Sequence, residues 1–242
     1  MLKIENLKVT YDKFEAIENL SLKVDDGEFV AIIGSSGSGK SSLIKSINLL
    51  VKPKAGHIFI GKEDITLANS KELKKLRREI GFIFQDYNLI DRLSVIENVL
   101  IGRLGYKSSL ESLLGIFKKE EYKNAMDALE KVGLKEKAFV RADELSGGQK
   151  QRVSIAKVFI QNPKLILADE PVASLDIATS QNIMKYFERI NKKYKISIII
   201  NLHDVNLAKK YAKRIVALKN GKIIFDGHGG ELTNDVLRKI YT

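Results

Sequence analysis

The chain has 242 residues, of which 44% are hydrophobic and 29% charged, a balance that suits one large globular domain or one domain carrying an insertion. It has no cysteine, which excludes disulfides and thiolate metal sites. Apolar stretches such as Ile196-Ser197-Ile198-Ile199-Ile200 are strand-sized, too short to cross a bilayer. The net charge of +11 fits either a basic surface facing nucleic acid or anionic lipid, or a lysine-rich solvated exterior. No RNA-binding or zinc-finger motif accompanies it.

In chain order, residues 1–5 carry no signal-peptide apolar region, which favours a cytoplasmic chain whose membrane role, if any, runs through a partner. Residues 3–11 alternate only in part, and 20–24 end at the turn Asp25-Asp26-Gly27; both are read as antiparallel strands. Residues 29–33 form a continuous apolar run, the mark of a buried strand. A helical pattern follows over 41–50, and 80–84 reads as another buried strand. From 89 to 160 helical periodicity takes over, so this stretch is read as an inserted helical subdomain between core segments 1–88 and 161–242. Buried strands resume at 165–168, 196–201 and 215–218, and Asn220-Gly221 predicts a two-residue hairpin. Strands alternating with helices argue for an α/β fold with a largely parallel sheet.

Between the strand at 29–33 and the following helix lies Gly34-Ser35-Ser36-Gly37-Ser38-Gly39-Lys40-Ser41, which fits G-x-x-x-x-G-K-[ST] without a mismatch; Ser42 continues it. Its glycines permit a tight turn, so that successive N–H groups face phosphates at the positive end of the helix. Lys40 is expected on the β- and γ-phosphates of ATP, and the Ser41 hydroxyl on Mg²⁺. Asp169-Glu170 sit at the carboxyl end of a buried strand, where α/β sheets place ligands. Beside a phosphate loop, Asp169 suits a Mg²⁺ partner acting through water, and Glu170 a general base. Leu145-Ser146-Gly147-Gly148-Gln149 precedes a helical stretch at 150–160. The segment reads as a serine-capped helix start, or as a second anion site that a dimer would use.

With these motifs in this order, the whole chain resembles the ATP-binding subunits of ABC transporters. The resemblance implies a P-loop NTPase cassette: a RecA-like core, an N-terminal antiparallel β-subdomain and the inserted helical subdomain. It further implies that Tyr11 stacks on adenine, and that Gln85 senses Mg²⁺ and the γ-phosphate. Ser174-Leu175-Asp176 would form a loop crossing a dimer interface, and His203 would contact the γ-phosphate. Ser146, Gly147, Gly148 and Gln149 of a second copy would close on ATP in a homodimer. The implied partners are integral membrane permease subunits and, indirectly, an extracytoplasmic solute-binding protein, with no specific nucleic acid. The implied place is the cytoplasmic face of the membrane. Ile177, Lys150 and Lys157 depart from the residues common in the family, away from the inferred chemistry.

Within the family, Asn88-Leu89-Ile90-Asp91-Arg92-Leu93-Ser94-Val95, Gly102-Arg103-Leu104-Gly105-Tyr106 and the stretch 109–117 resemble phosphonate importers. The segment 106–119 is expected near the membrane subunits, or as a plain amphipathic surface helix. Phosphate, phosphite or another small solute is the near alternative. An exporter or lipoprotein-release cassette shares every catalytic motif. A soluble relative acting on nucleic acid or ribosomes is disfavoured, because the chain has neither a long coiled coil nor a second cassette.

Overall fold

The computed structural model describes residues 1–12, 14–173 and 175–241. In chain order come β1 (Leu2–Tyr11), β2 (Phe14–Val24), β3 (Phe29–Ile33), α1 (Lys40–Ile47), β4 (Ala55–Ile60), β5 (Glu63–Asp64), α2 (Ser70–Glu79) and β6 (Ile80–Ile83). Helices α3 (Val95–Leu100), α4 (Ser109–Leu113), α5 (Lys119–Lys131) and α6 (Gly147–Ile160) follow. The chain then runs through β7 (Leu165–Ala168), α7 (Ile177–Tyr194), β8 (Ser197–Asn201), α8 (Val205–Tyr211), β9 (Arg214–Lys219), β10 (Lys222–Gly227) and α9 (Asn234–Tyr241).

Two sheets stack. The antiparallel sheet has order β2-β1-β4-β5, and the larger one β10-β9-β3-β8-β7-β6, parallel except for the β9–β10 hairpin. The central strands are apolar on both faces because both faces are covered. On one face Ile198 and Ile200 of β8 join Phe29, Ala31 and Ile33 of β3 in a core shared with α3, α5, α6 and α7. On the other, Ile199, Val30 and Ile32 pack with Leu43, Ile44 and Ile47 of α1 and with the antiparallel sheet.

The partial alternation of the first strand has a structural cause. Leu2 and Ile4 are buried, then Leu7 and Val9. Parity changes because the β1–β2 register shifts between Ile4 and Leu7, where Asn6 takes φ 49°. A bulge of this kind keeps one face toward the core. Asn220 and Gly221, at φ 48° and 73°, form the expected hairpin turn between β9 and β10.

Several elements exceed or escape the sequence reading. The second strand begins at Phe14 rather than residue 20, and β4, β5 and α2 were not anticipated. Helix α2 has little apolar content, but Asn69 and Glu72 close its start as a capping box. The segment 106–119 is not one amphipathic helix. A 3-10 turn, Ile101–Tyr106, precedes the five-residue α4, and Gly115 at φ 63° breaks the chain again. Among the described residues no helix is long and apolar enough to cross a membrane.

Candidate functional site

The phosphate loop leaves β3 at Gly34, whose φ of 149° and position leave no room for a side chain: an added Cβ would lie 2.3 Å from the Leu218 carbonyl oxygen. Gly39 opens α1 at φ 103° with no side-chain cap, leaving the helix N-terminus available to an anion. Lys40 is buried, and its Nζ donates to the carbonyl oxygens of Gly34 and Ser35 at 2.8 and 3.0 Å. Burial pushes its ammonium below the usual lysine range, and the nearby Glu170 and Asp169 oppose that shift.

Asp169 extends β7 and is 2% exposed. Its backbone N–H donates to the Ile83 carbonyl at 2.9 Å, which ties it to the end of β6. Its Oδ1 accepts from the Ser41 hydroxyl at 2.8 Å and from Asn201 Nδ2 at 2.8 Å, while Lys45 Nζ stands 3.8 Å from Oδ2. Glu170 follows at φ 51°. Its Oε1 accepts a hydrogen bond from His203 Nε2 at 2.5 Å. Phe14, Ala16, loop residues 36–42, Glu170 and His203 line a cleft of about 190 Å³.

The structure therefore brings Ser36, Gly37, Ser38, Gly39, Lys40, Ser41, Ser42, Asp169, Glu170 and His203 to one place. Gln85 sits in an exposed turn after β6. Tyr11 pairs with Phe14 across the first hairpin and is 43% exposed; Phe14, unmarked by sequence reasoning, is the aromatic that lines the cleft. Ser146 caps α6, accepting from the Gln149 N–H while Gln149 Oε1 accepts from the Ser146 N–H at 3.0 Å. None of Ser146, Gly147, Gly148 and Gln149 lines the cleft. Gly147 lies beside Tyr87, and Gly148 beside Leu175 and Thr179. Asp176 caps α7, and the hydrogen bonds from Thr179 hold its carboxyl below the usual range. Ser174 lies outside the described residues.

Oxygen chemistry at Ser41 and Asp169 fits Mg²⁺. Among the described residues no group of three or more His, Cys, Asp or Glu side chains forms a protein-only metal cage. Mg²⁺ needs none, since it favours one or two protein oxygens with substrate phosphates and water. Asn201 and Lys45 escaped sequence reasoning. The signal for Asn201 was present: an amide ending the apolar run Ile198-Ile199-Ile200.

A phosphate loop joined through Ser41 to a buried aspartate, with a glutamate–histidine pair at the mouth, defines a P-loop ATPase. The comparisons narrow the class. The chain matches the family model for ABC transporter over residues 17–173. It is 48% identical over 242 residues to the "Phosphonates import ATP-binding protein PhnC 2" of Halalkalibacterium halodurans, covering 100% of this chain and 99% of the relative. A protein of Bacillus anthracis named "Phosphonates import ATP-binding protein PhnC" is 46% identical, with 100% and 94% covered. A cassette solved as a dimer in a post-hydrolysis state bound to ADP and Pi superposes with a TM-score of 0.85 at 36% identity, covering 94% of this chain and 98% of its own. A nucleotide-free cassette from an ABC transporter superposes at 0.86, with 31% identity and 99% and 96% covered. This chain belongs to the ABC transporter family, as an ATP-binding and ATP-hydrolysing cassette.

Proposed function

We propose that this cassette energises import of phosphonates through a membrane permease. The observation that carries the catalytic part is the convergence of Ser41, Asp169, Glu170 and His203 at the carboxyl ends of β7 and β8. Glu170 polarises the attacking water, and His203 orients that glutamate and contacts the γ-phosphate. Lys40 and the loop amides neutralise the phosphates. Ser41, Asp169 and Gln85 would hold Mg²⁺, which would supply further charge neutralisation when bound. Tyr11 and Phe14 offer aromatic faces for adenine. The name borne by relatives 46–48% identical along the whole chain supports the solute class.

Two copies form the working unit, because the signature lies outside its own chain's cleft and needs a partner's nucleotide to contact. Segments 1–88 and 161–242 form the nucleotide-binding core, and 89–160 the subdomain that meets the permease at the cytoplasmic face of the membrane. Support comes from a groove of about 420 Å³ bounded by α2, β6 and α6. Lys74, Arg77, Arg78 and Lys157 line it beside Phe82 and Phe84, and none of its described lining residues is acidic.

Uptake of a labelled alkylphosphonate in cells with and without this gene tests the reading, with phosphate and phosphite measured in parallel. Loss of phosphonate uptake, restored by wild type and not by Glu170→Gln, is expected. The purified Glu170→Gln cassette should bind ATP and lose about 10²–10⁴-fold in hydrolysis. Unchanged phosphonate uptake in cells lacking a duplicate system removes the assigned solute and leaves the ATPase.

A further inference from the structure

Asn201 is 0% exposed at the end of β8, two residues before His203. The parallel pairing of Ala168 with Ile200 sets Asp169 and Asn201 side by side as the two strands leave the sheet. A carboxamide in so buried a place is unfavourable unless it is hydrogen-bonded. Its Nδ2 donates to Asp169 Oδ1, the oxygen that also accepts from Ser41. Two donors thus hold one oxygen of the carboxylate. The other, Oδ2, faces only the long 3.8 Å approach of Lys45 Nζ among the contacts described. The second polar atom of Asn201, Oδ1, is buried with no hydrogen-bond partner among the described residues.

We propose that Asn201 is a positioning residue for the metal–nucleotide complex. Its amide sets the rotation of the Asp169 carboxylate, so that one oxygen is tied down and the other is kept for the hydration shell of Mg²⁺. The inference rests on the reading of Asp169 as a metal partner. Groups that orient a ligating carboxylate change metal affinity by about 10–100-fold when removed.

The test is the gain in affinity that Mg²⁺ confers on a β,γ-imido ATP analogue, measured as the ratio of Kd in EDTA to Kd in Mg²⁺ on the full chain. Asn201→Leu removes the donor at similar volume, and Asn201→Ala removes it without introducing a new charge. In both, the Mg²⁺-dependent gain should fall by about 10–100-fold, with Kd in EDTA unchanged. A merely structural amide would instead lower the melting temperature of the nucleotide-free protein and leave the ratio intact. Asp169→Asn separates the failures. If it abolishes the gain while both Asn201 variants keep it, Asn201 has no positioning role and the Asp169 reading stands. If Asp169→Asn itself keeps the gain, the metal reading of Asp169 fails and the inference falls with it.

Discussion

At the scale of single residues, the cleft couples backbone constraint to chemistry. Gly34 admits no Cβ because the Leu218 carbonyl occupies its place, and Glu170 takes φ 51° directly after a buried strand. A non-glycine residue in that conformation is uncommon and marks a position where geometry is imposed by its surroundings. The aromatic pair at the mouth yields a prediction. Tyr11 and Phe14 are register partners, 43% and 61% exposed, so both rings are open to a ligand. Tyr11→Ala should weaken ATP binding by about 1–3 kcal/mol, or roughly 5- to 150-fold, with Tyr11→Phe close to wild type in a fluorescent-nucleotide titration. A loss confined to Phe14→Ala would move the stacking platform to Phe14.

At the scale of elements, the helical segment is held by polar contacts that no periodicity reveals. Lys107, in the loop before α4, is buried against Glu121 of α5, and Arg103 Nε lies 3.6 Å from the same carboxylate. Burial raises the pKa of Glu121, but the hydrogen bonds from Lys107 and the Lys118 amide outweigh it and hold the carboxyl below its ordinary value of 4.5. Glu121→Gln leaves Lys107 buried without a counter-charge and should lower unfolding stability by up to about 3–5 kcal/mol in urea at neutral pH. Because the folded-state pKa is depressed, the stabilisation is present above 4.5 and is lost as pH falls through the lower folded value. The gap between wild type and variant should therefore narrow at acid pH.

At the scale of the whole molecule, the two helix starts that the sequence marks as anion sites do not face a common cleft. Gly39 opens α1 over the phosphate loop, and Ser146 opens α6 elsewhere. The proposed two-fold pair of chains would resolve this by setting each signature against the partner's nucleotide. ATP should convert the Glu170→Gln cassette from monomer to dimer in light scattering. Adding Ser146→Asp retains a good helix cap but sets a carboxylate against the γ-phosphate, so the double variant should stay monomeric while each chain still binds ATP. A dimer that forms equally well in the double variant would contradict the facing arrangement.

Chemistry that depends on contiguous residues is legible in one dimension. The phosphate loop, the acids after β7, the signature and the Asn220-Gly221 turn each carry their physics within a few positions, so composition and spacing suffice. The buried strands were legible for the same reason, as unbroken apolar runs. Partners distant along the chain, and elements with weak local patterns, emerge only once the chain is folded. The Asn6 bulge masks strand alternation, and α2 carries too few apolar residues to announce a helix. Ser41 meets Asp169 and His203 meets Glu170 only because parallel strands bring their carboxyl ends together. Asn201 shows the difference most plainly: an amide closing an isoleucine run stands out in one dimension, but its partner does not, and strand register sets it on Asp169.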